Sequence, residues 1–340
     1  MRFDFPKIDL HLHLDGAMPP ELSWKLAHEQ GVELPVNSFE EFKEYVIIAD
    51  DNHSVNEFLR RFDLPTELLQ TADALKRTAQ AVVEKYAAQG LGYAEIRFAP
   101  QIHTQKGLTQ REAVQAVVDG VNAGMENCPS IKVGVILCCM VIGEEHLNRD
   151  ANLETVDLTA EFEGTPVVAM DLAGAEGLTP LDTFGYLFER GKQLGLNFTC
   201  HAGDSQGPDT VEAALNFGTK RLGHGHHIWD APELVERGAI DGVGLEICLT
   251  SNIQCCTQPS FEEHPAKRLM EAGLLVTLNT DNPTISNTCL DKEYEIAMSR
   301  CGFSYNDLIR ANINSVKICF MPEEDKQEYI KVLESYMMEE

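Results

Sequence analysis

The sequence predicts an α/β fold, a single (β/α)8 TIM barrel domain over residues 1–340 with a long helical insertion after its first strand. Three observations predict it. Eight apolar, β-branched-rich runs alternate with helical patterns, as in a parallel sheet covered by helices. The first run ends in His11-Leu12-His13-Leu14-Asp15-Gly16 and not in the G-x-G-x-x-G turn of an open doubly wound sheet. His11, His13, His201, His224 and Asp281 stand at or just past the ends of such runs, and in a parallel barrel those exits converge on one bowl.

Taken in order, the first run is Ile8–Leu14. His11 and His13 lie two apart on it, so both side chains face one side, the interior of a barrel. The crossover from Leu14 to Gly90 is far longer than a barrel needs. Within it, Pro19-Pro20-Glu21 opens a helix through Glu29, with proline suited to a first turn. Val55, Phe58, Leu59 and Phe62 mark a helical stripe over Val55–Leu69. That stripe fits a helix packed on the barrel or a lid over the bowl. The other runs are Leu91–Ala99, Lys132–Val141, Pro166–Leu172, Leu196–His201, Lys220–Gly225, Gly244–Leu249 and Leu274–Thr280. Helical segments Thr183–Leu194, Asp209–Phe217 and Pro232–Ala239 separate later ones. Eight such units favour closure over an open sheet.

A chain of 340 residues with 44% apolar content can bury one large core. Its formal charge of −27 repels a phosphate backbone, which argues against nucleic-acid binding. The N-terminal residues lack a signal-peptide core, and no stretch approaches the ~20 apolar residues of a membrane span. Ten cysteines without any C-x-x-C spacing suggest reduced, buried thiols and a cytoplasmic location. Nothing in the sequence specifies an oligomeric state.

Three imidazoles (His11, His13, His201) and the Asp281 carboxylate make a mixed N/O shell that suits zinc with one position open for water. A metal ion there lowers the pKa of water towards ~7. His224, one barrel position from His201, is placed to hold or deprotonate that water. Asp204, three residues after His201, is either a proton donor to a leaving heterocycle nitrogen or a cap for the helix that follows. The fourth run reads Val167-Val168-Ala169-Met170-Asp171-Leu172-Ala173-Gly174, with no lysine to bridge a second metal, so one ion is the simpler count. His28, His53, His103, His146, His226, His227 and His264 read as loop or surface residues.

These residues together resemble the adenosine deaminase family, a branch of the metal-dependent amidohydrolases. Its His-x-His-x-Asp-Gly, His-Ala-Gly-acid, Gly-His-Gly and Thr-Asp-acid/amide motifs occur here in order, from Lys7 to the Asn314-Ser315 region. The resemblance implies one Zn2+ per chain on His11, His13, His201 and Asp281. It implies Asp204 as proton donor to purine N1 and His224 as the group that orients the attacking hydroxide. It also implies Gly174 at purine N3, Asp15 at the ribose 5′-hydroxyl, Asn282 at N7, His13 beside the substrate, and Phe58, Leu59 and Phe62 as a hydrophobic gate.

Three positions depart from the family pattern. Asp204 stands where Glu is usual and loses ~1.3–1.5 Å of reach. A misplacement of ~1 Å can cost about 100-fold in rate. Asn282 stands where Asp is frequent, and its amide offers N7 a donor without needing protonation. Leu249 replaces a frequent proline.

The implied reaction is hydrolytic deamination of adenosine or 2′-deoxyadenosine to inosine or 2′-deoxyinosine, with release of ammonia. Asp15 goes with nucleosides, since adenine-specific members carry Glu there and a carboxylate repels a 5′-phosphate. The alternatives are deamination of adenine or an N6-modified adenosine, and a weakly active or inactive nucleoside-binding relative. A cytidine-deaminase-type site is excluded, because H-x-E with a later P-C-x-x-C is absent.

Overall fold

A computed structural model describes residues 3–49, 52 and 54–339; His53 lies outside them. Among the described residues, eight parallel strands form: β1 Lys7–His13, β2 Leu91–Phe98, β3 Lys132–Val141, β4 Val167–Gly174, β5 Cys200–Ala202, β6 Arg221–His224, β7 Gly244–Ile247 and β8 Leu275–Leu278. They pair in chain order as two four-stranded sheets, β1 to β4 and β5 to β8. Two lone parallel bridges join the sheets, Met170 with Phe198 and Leu12 with Asp281. At the second seam His13 N–H donates to Asp281 O at 2.8 Å, and Asp281 N–H donates to His11 O at 2.8 Å. The strands close on themselves, and the expected barrel is present.

Each strand falls on one of the eight apolar runs. The fifth is shorter than the run from Leu196 suggests, because residues 196–199 meet β4 only through the bridge. There Met170 N–H donates to Asn197 O and Thr199 N–H to Met170 O, both at 3.0 Å. Helices Gly185–Gln193, Pro208–Asn216 and Pro232–Asp241 cover the later strands, as their sequence patterns indicate. After β8, helix Tyr305–Ile318 packs across β8 and β1.

The insertion after β1 contains helices Pro20–Gln30, Phe39–Val46 and Ala72–Ala88, among shorter ones. Its apolar stripe is not one helix. Val55–Leu59 is α-helical, Arg60–Phe62 is a 3-10 turn, and Asp63–Leu68 is α-helical again. The cause is Pro65, which has no N–H to give the carbonyl of Arg61 and whose ring crowds that carbonyl. The first half leans on the loops after β7 and β8: Phe58 is buried with Ile48 and Ile285, against Phe62 and Cys255. The second half packs on helix Pro20–Gln30, where Gln30 Nε2 donates to Leu68 O at 2.9 Å.

The barrel interior is not a stack of aliphatic layers. Glu95, Arg97, Asp171, Arg221 and Glu246 are all buried in it. Arg97 bridges Asp171 Oδ2 (3.0 Å) and Glu246 Oε2 (2.6 Å), while Arg221 bridges Glu95 (2.6 Å) and Glu246 Oε1 (2.5 Å). Buried charges persist only when paired and hydrogen-bonded, and here each acid meets at least one guanidinium. The ten cysteines are unpaired. Among the described residues no helix is long and apolar enough to cross a membrane.

Candidate active site

At the C-terminal mouth of the barrel, His11 and His13 on β1 meet His201 on β5 and Asp281 just past β8. The Nε2 atoms of His11 and His13 are 3.3 Å apart, and each lies 3.4 and 3.3 Å respectively from Asp281 Oδ1. Four ligand atoms ~2.1 Å from a shared cation at tetrahedral corners stand ~3.4 Å apart, so these three already have the spacing of one coordination shell. One ring nitrogen of His201 lies within 4.8 Å of those of His11 and His13.

The outer partners turn the lone pairs inward. His11 Nδ1 is 2.7 Å from Glu246 Oε2, and His201 Nδ1 is 2.9 Å from Asp171 Oδ2. The His11 ring therefore keeps its proton on Nδ1 and presents Nε2, as metal-binding histidines do, and Asp171 sits beside Nδ1 of His201 on the side away from the cluster. The same two carboxylate oxygens are those that Arg97 joins. Ser251 Oγ donates to Asp281 Oδ2 at 2.6 Å, leaving Oδ1 for the cluster.

Protonation follows the same pattern. Burial lowers the pKa of His11 and lowers that of His13 further, favouring neutral rings. Burial opposes charge on Asp281, but the His11, His13 and His224 rings outweigh it and hold that carboxyl well below the usual range. For His201, burial is outweighed by Asp171, which raises its pKa. Imidazole nitrogens with an ionised carboxylate form a donor set that fits zinc.

Local backbone is shaped for this crowding. A Cβ at Gly223 would stand 3.1 Å from the His201 ring and 3.2 Å from His11 Cε1, so glycine leaves room for both rings. His224 and Asp281 have φ of 60° and 58°, a conformation that side-chain-bearing residues adopt at a cost of about 1–3 kcal/mol and that clusters at functional sites.

Beside the cluster, His224 and Asp204 share one residue. Asn252 Nδ2 donates to Asp204 Oδ1 at 2.9 Å and lies 3.1 Å from His224 Nδ1. The orientation of that amide follows from its other end. Ala266 N–H donates to His264 Nδ1 at 3.2 Å, so His264 carries its proton on Nε2 and gives it to Asn252 Oδ1 at 3.1 Å. His224 Nδ1 must then accept, which places its proton on Nε2. With that nitrogen a donor, His224 stands outside the ligand set even though it lies within reach of His11 and Asp281. Asp204 Oδ1 also accepts from Thr257 Oγ1 at 3.1 Å. Asp204 caps no helix: Gly207 occupies that position for Pro208–Asn216, with no side-chain cap.

Of the other residues singled out from sequence, Asp15 is half-buried at the mouth, where burial pushes its carboxyl up to about 6. Asn282 is 5% exposed, and its Oδ1 has no hydrogen-bond partner among the described residues. Gly174 ends β4 with φ of 108°. Phe58 is buried and Phe62 half-buried, whereas Leu59 is exposed. The surface reading of His103, His226 and His264 is corrected: all three are buried. His226 and His264 sit behind Asp204, with His226 Nδ1 3.9 Å from Asp204 Oδ1. The groups that cover them, such as Asp204 near His226 and Asn252 at His264, come from distant segments, which local sequence does not display.

A family model described as adenosine deaminase matches residues 6–336. The chain belongs to the adenosine deaminase family. An adenosine deaminase of Haemophilus ducreyi is 39% identical over 323 residues, covering 94% of this chain and 93% of its own. An adenine deaminase from Arthrobacter aurescens superposes with a TM-score of 0.87 at 26% identity, covering 97% of this chain and 98% of its own. The N6-methyl-AMP deaminase from Arabidopsis thaliana gives 0.83 at 27%, covering 98% and 97%. The adenosine deaminase family is metal-dependent, and the His/Asp cluster fits that requirement.

Several groups that shape this adenosine deaminase-family site escaped the sequence reading: Arg97, Asp171, Glu246, Ser251, Asn252 and Glu176. Glu176 follows β4 and accepts hydrogen bonds from the loop that carries Asp204. A usable signal existed for three of them. Arg97, Asp171 and Glu246 are charges inside apolar strand runs, where a charge needs a partner.

Proposed function

We propose that this chain catalyses zinc-dependent hydrolysis of adenosine and 2′-deoxyadenosine to inosine and 2′-deoxyinosine with release of ammonia. It does so as one domain, 1–340, in the cytoplasm, acting on a small purine nucleoside and not on nucleic acid or membrane. One Zn2+ per chain would be held by His11, His13, His201 and Asp281, and when bound it supplies the acidity that lets water ionise towards pH ~7.

The observation that carries the reading is Asn252 joining Asp204 and His224 beside the three-histidine, one-aspartate cluster. Deamination at C6 needs an acid for N1 and a group that holds the attacking water, and this pair supplies both. Asp204 gives its proton to N1 as water adds at C6. His224, a donor at Nε2, holds the water oxygen. The water loses two protons in all: one replaces that given by Asp204, and the other leaves with the amino group as ammonia. Asn282 donates to N7, the Gly174 backbone meets N3, Asp15 takes the 5′-hydroxyl, His13 borders the purine, and Phe58, Leu59 and Phe62 gate the bowl.

The test is ultraviolet absorbance of adenosine with the zinc-loaded protein, alongside adenine, AMP and N6-methyladenosine. Adenosine turnover is expected to lead. Idle adenosine beside brisk turnover of adenine or an N6-modified substrate supports the alternative, deamination of another 6-aminopurine, which the names of the structural neighbours motivate. Purine binding with no turnover, restored by Asp204→Glu, marks a weakly active or inactive relative.

A further inference from the structure

The acid-bearing loop after β5 is held by a side chain from a different loop. Glu176, two residues beyond Gly174, places its carboxylate against four successive backbone N–H groups. Gly203 N–H donates to Oε1 at 2.6 Å, while those of Asp204, Ser205 and Gln206 donate to Oε2 at 3.1, 2.7 and 3.2 Å. Two hydroxyls join them, Thr210 Oγ1 to Oε1 at 2.6 Å and Ser205 Oγ to Oε2 at 3.3 Å. Converging N–H groups of this kind form an anion-binding nest, and Gly203 makes it possible with φ of 67°. Thr210 lies in the first turn of helix Pro208–Asn216, so one carboxylate ties the β4 loop, the β5 loop and the following helix together.

We propose that Glu176 is a positioning residue for proton transfer: it fills this nest and sets the backbone position from which the short acid Asp204 reaches purine N1. The inference rests on the reading of Asp204 as proton donor. Asp204 has one methylene fewer than the family's Glu, so its carboxyl position is governed more tightly by its Cα. Charge-assisted bonds to four consecutive amides fix that Cα with little freedom. Because Glu176 follows Gly174 so closely, the backbone assigned to N3 and the acid assigned to N1 move as one unit. Both carboxylate oxygens of Glu176 are engaged by these loop and helix donors, so its action on the reaction runs through the loop they hold.

The experiment uses the zinc-loaded full-length enzyme and its Glu176→Ala and Glu176→Gln variants, each with and without Asp204→Glu. Steady-state adenosine kinetics are measured together with amide hydrogen exchange over residues 203–207. Glu176→Ala is expected to lower kcat by about 100-fold, the cost of ~1 Å of misplacement, with a much smaller change in KM. Exchange over 203–207 should accelerate. Glu176→Gln, which keeps one acceptor oxygen, should fall between, and it serves if the alanine variant does not fold. Added formate should restore part of kcat to Glu176→Ala by occupying the vacated nest, and it should not help the unsubstituted enzyme. The loss on Glu176→Ala should shrink in the Asp204→Glu background, where a longer side chain tolerates a looser backbone.

Unchanged kcat in both variants overturns the proposal. So does a loss of kcat with unaltered exchange over 203–207, or one equal in both Asp204 backgrounds. An unsubstituted enzyme that turns over no 6-aminopurine instead refutes the deaminase reading itself, and the exchange measurement distinguishes the two failures.

Discussion

Replacing Arg97 with Met tests the linkage between the barrel interior and the metal cluster. Arg97 is fully buried and donates to Asp171 at 3.0 Å, to Glu246 at 2.6 Å and to Leu10 O at 2.7 Å. Methionine keeps much of the volume and removes the charge. Breaking a buried ion pair by deleting one partner costs about 3–5 kcal/mol. The figure is not doubled, because Glu246 keeps Arg221 at 2.5 Å and His11 at 2.7 Å. Asp171 is the acid left exposed to the loss, with the His201 ring nitrogen at 2.9 Å as its remaining close partner. The metal-free variant should therefore lose about 3–5 kcal/mol in urea unfolding at pH 7. Because Asp171 and Glu246 orient His201 and His11, zinc affinity measured against a competing chelator should also fall, by about 10–100-fold. Arg97→Lys should recover only part, since one ammonium cannot span both carboxylates as a guanidinium does. A stability loss no larger than ~1 kcal/mol, that of one ordinary hydrogen bond, together with unchanged zinc affinity, refutes the linkage.

Three further outcomes follow from individual contacts. Burial lowers the His103 pKa from 6.5 to about 4, although its Nδ1 meets Leu69 O at 2.9 Å. The unfolded chain then binds the extra proton between those values, so stability is present above pH ~6.5 and is lost as pH falls towards ~4; near pH 5 the loss is about 2 kcal/mol. In urea unfolding at pH 7 and pH 5, His103→Asn should show a flatter dependence, and an equally steep one counts against this origin. Ser251→Ala removes the 2.6 Å bond to Asp281 and should weaken zinc retention in chelator competition by about 10-fold or more. Asp15→Ala should lower kcat/KM for adenosine more than for 5′-deoxyadenosine, and an equal loss on both would remove Asp15 from the 5′-hydroxyl.

The fold was legible because each strand is a compact apolar run, because there are eight of them, and because the first ends in metal-ligand residue types where a doubly wound sheet would carry a G-x-G-x-x-G turn. His11, His13, His201 and Asp281 could be found since each borders its own run. Their partners could not be found that way. Asn252 is one polar residue in a short helix after β7, and it becomes significant only when β6 and β7 lie side by side. Glu176 resembles any acidic loop residue until the β5 loop folds over it. His226 and His264 looked exposed because burial by remote segments leaves no local trace. Over Val55–Leu69 the apolar periodicity was visible, but Pro65 outweighed it locally by removing a backbone donor from the middle of the stripe.

The two-sheet construction of the barrel has a further consequence. Of the four candidate ligands, His11 and His13 belong to the half that ends at β4, and His201 and Asp281 belong to the half that begins at β5. At one junction the backbones of His11, His13 and Asp281 exchange hydrogen bonds. At the other, Asp171 of the first half orients His201 of the second. Neither half-barrel holds more than a bidentate fragment of the centre, so a cation recruited there acts as a rivet through both halves, and partial folding of either one leaves it no complete socket.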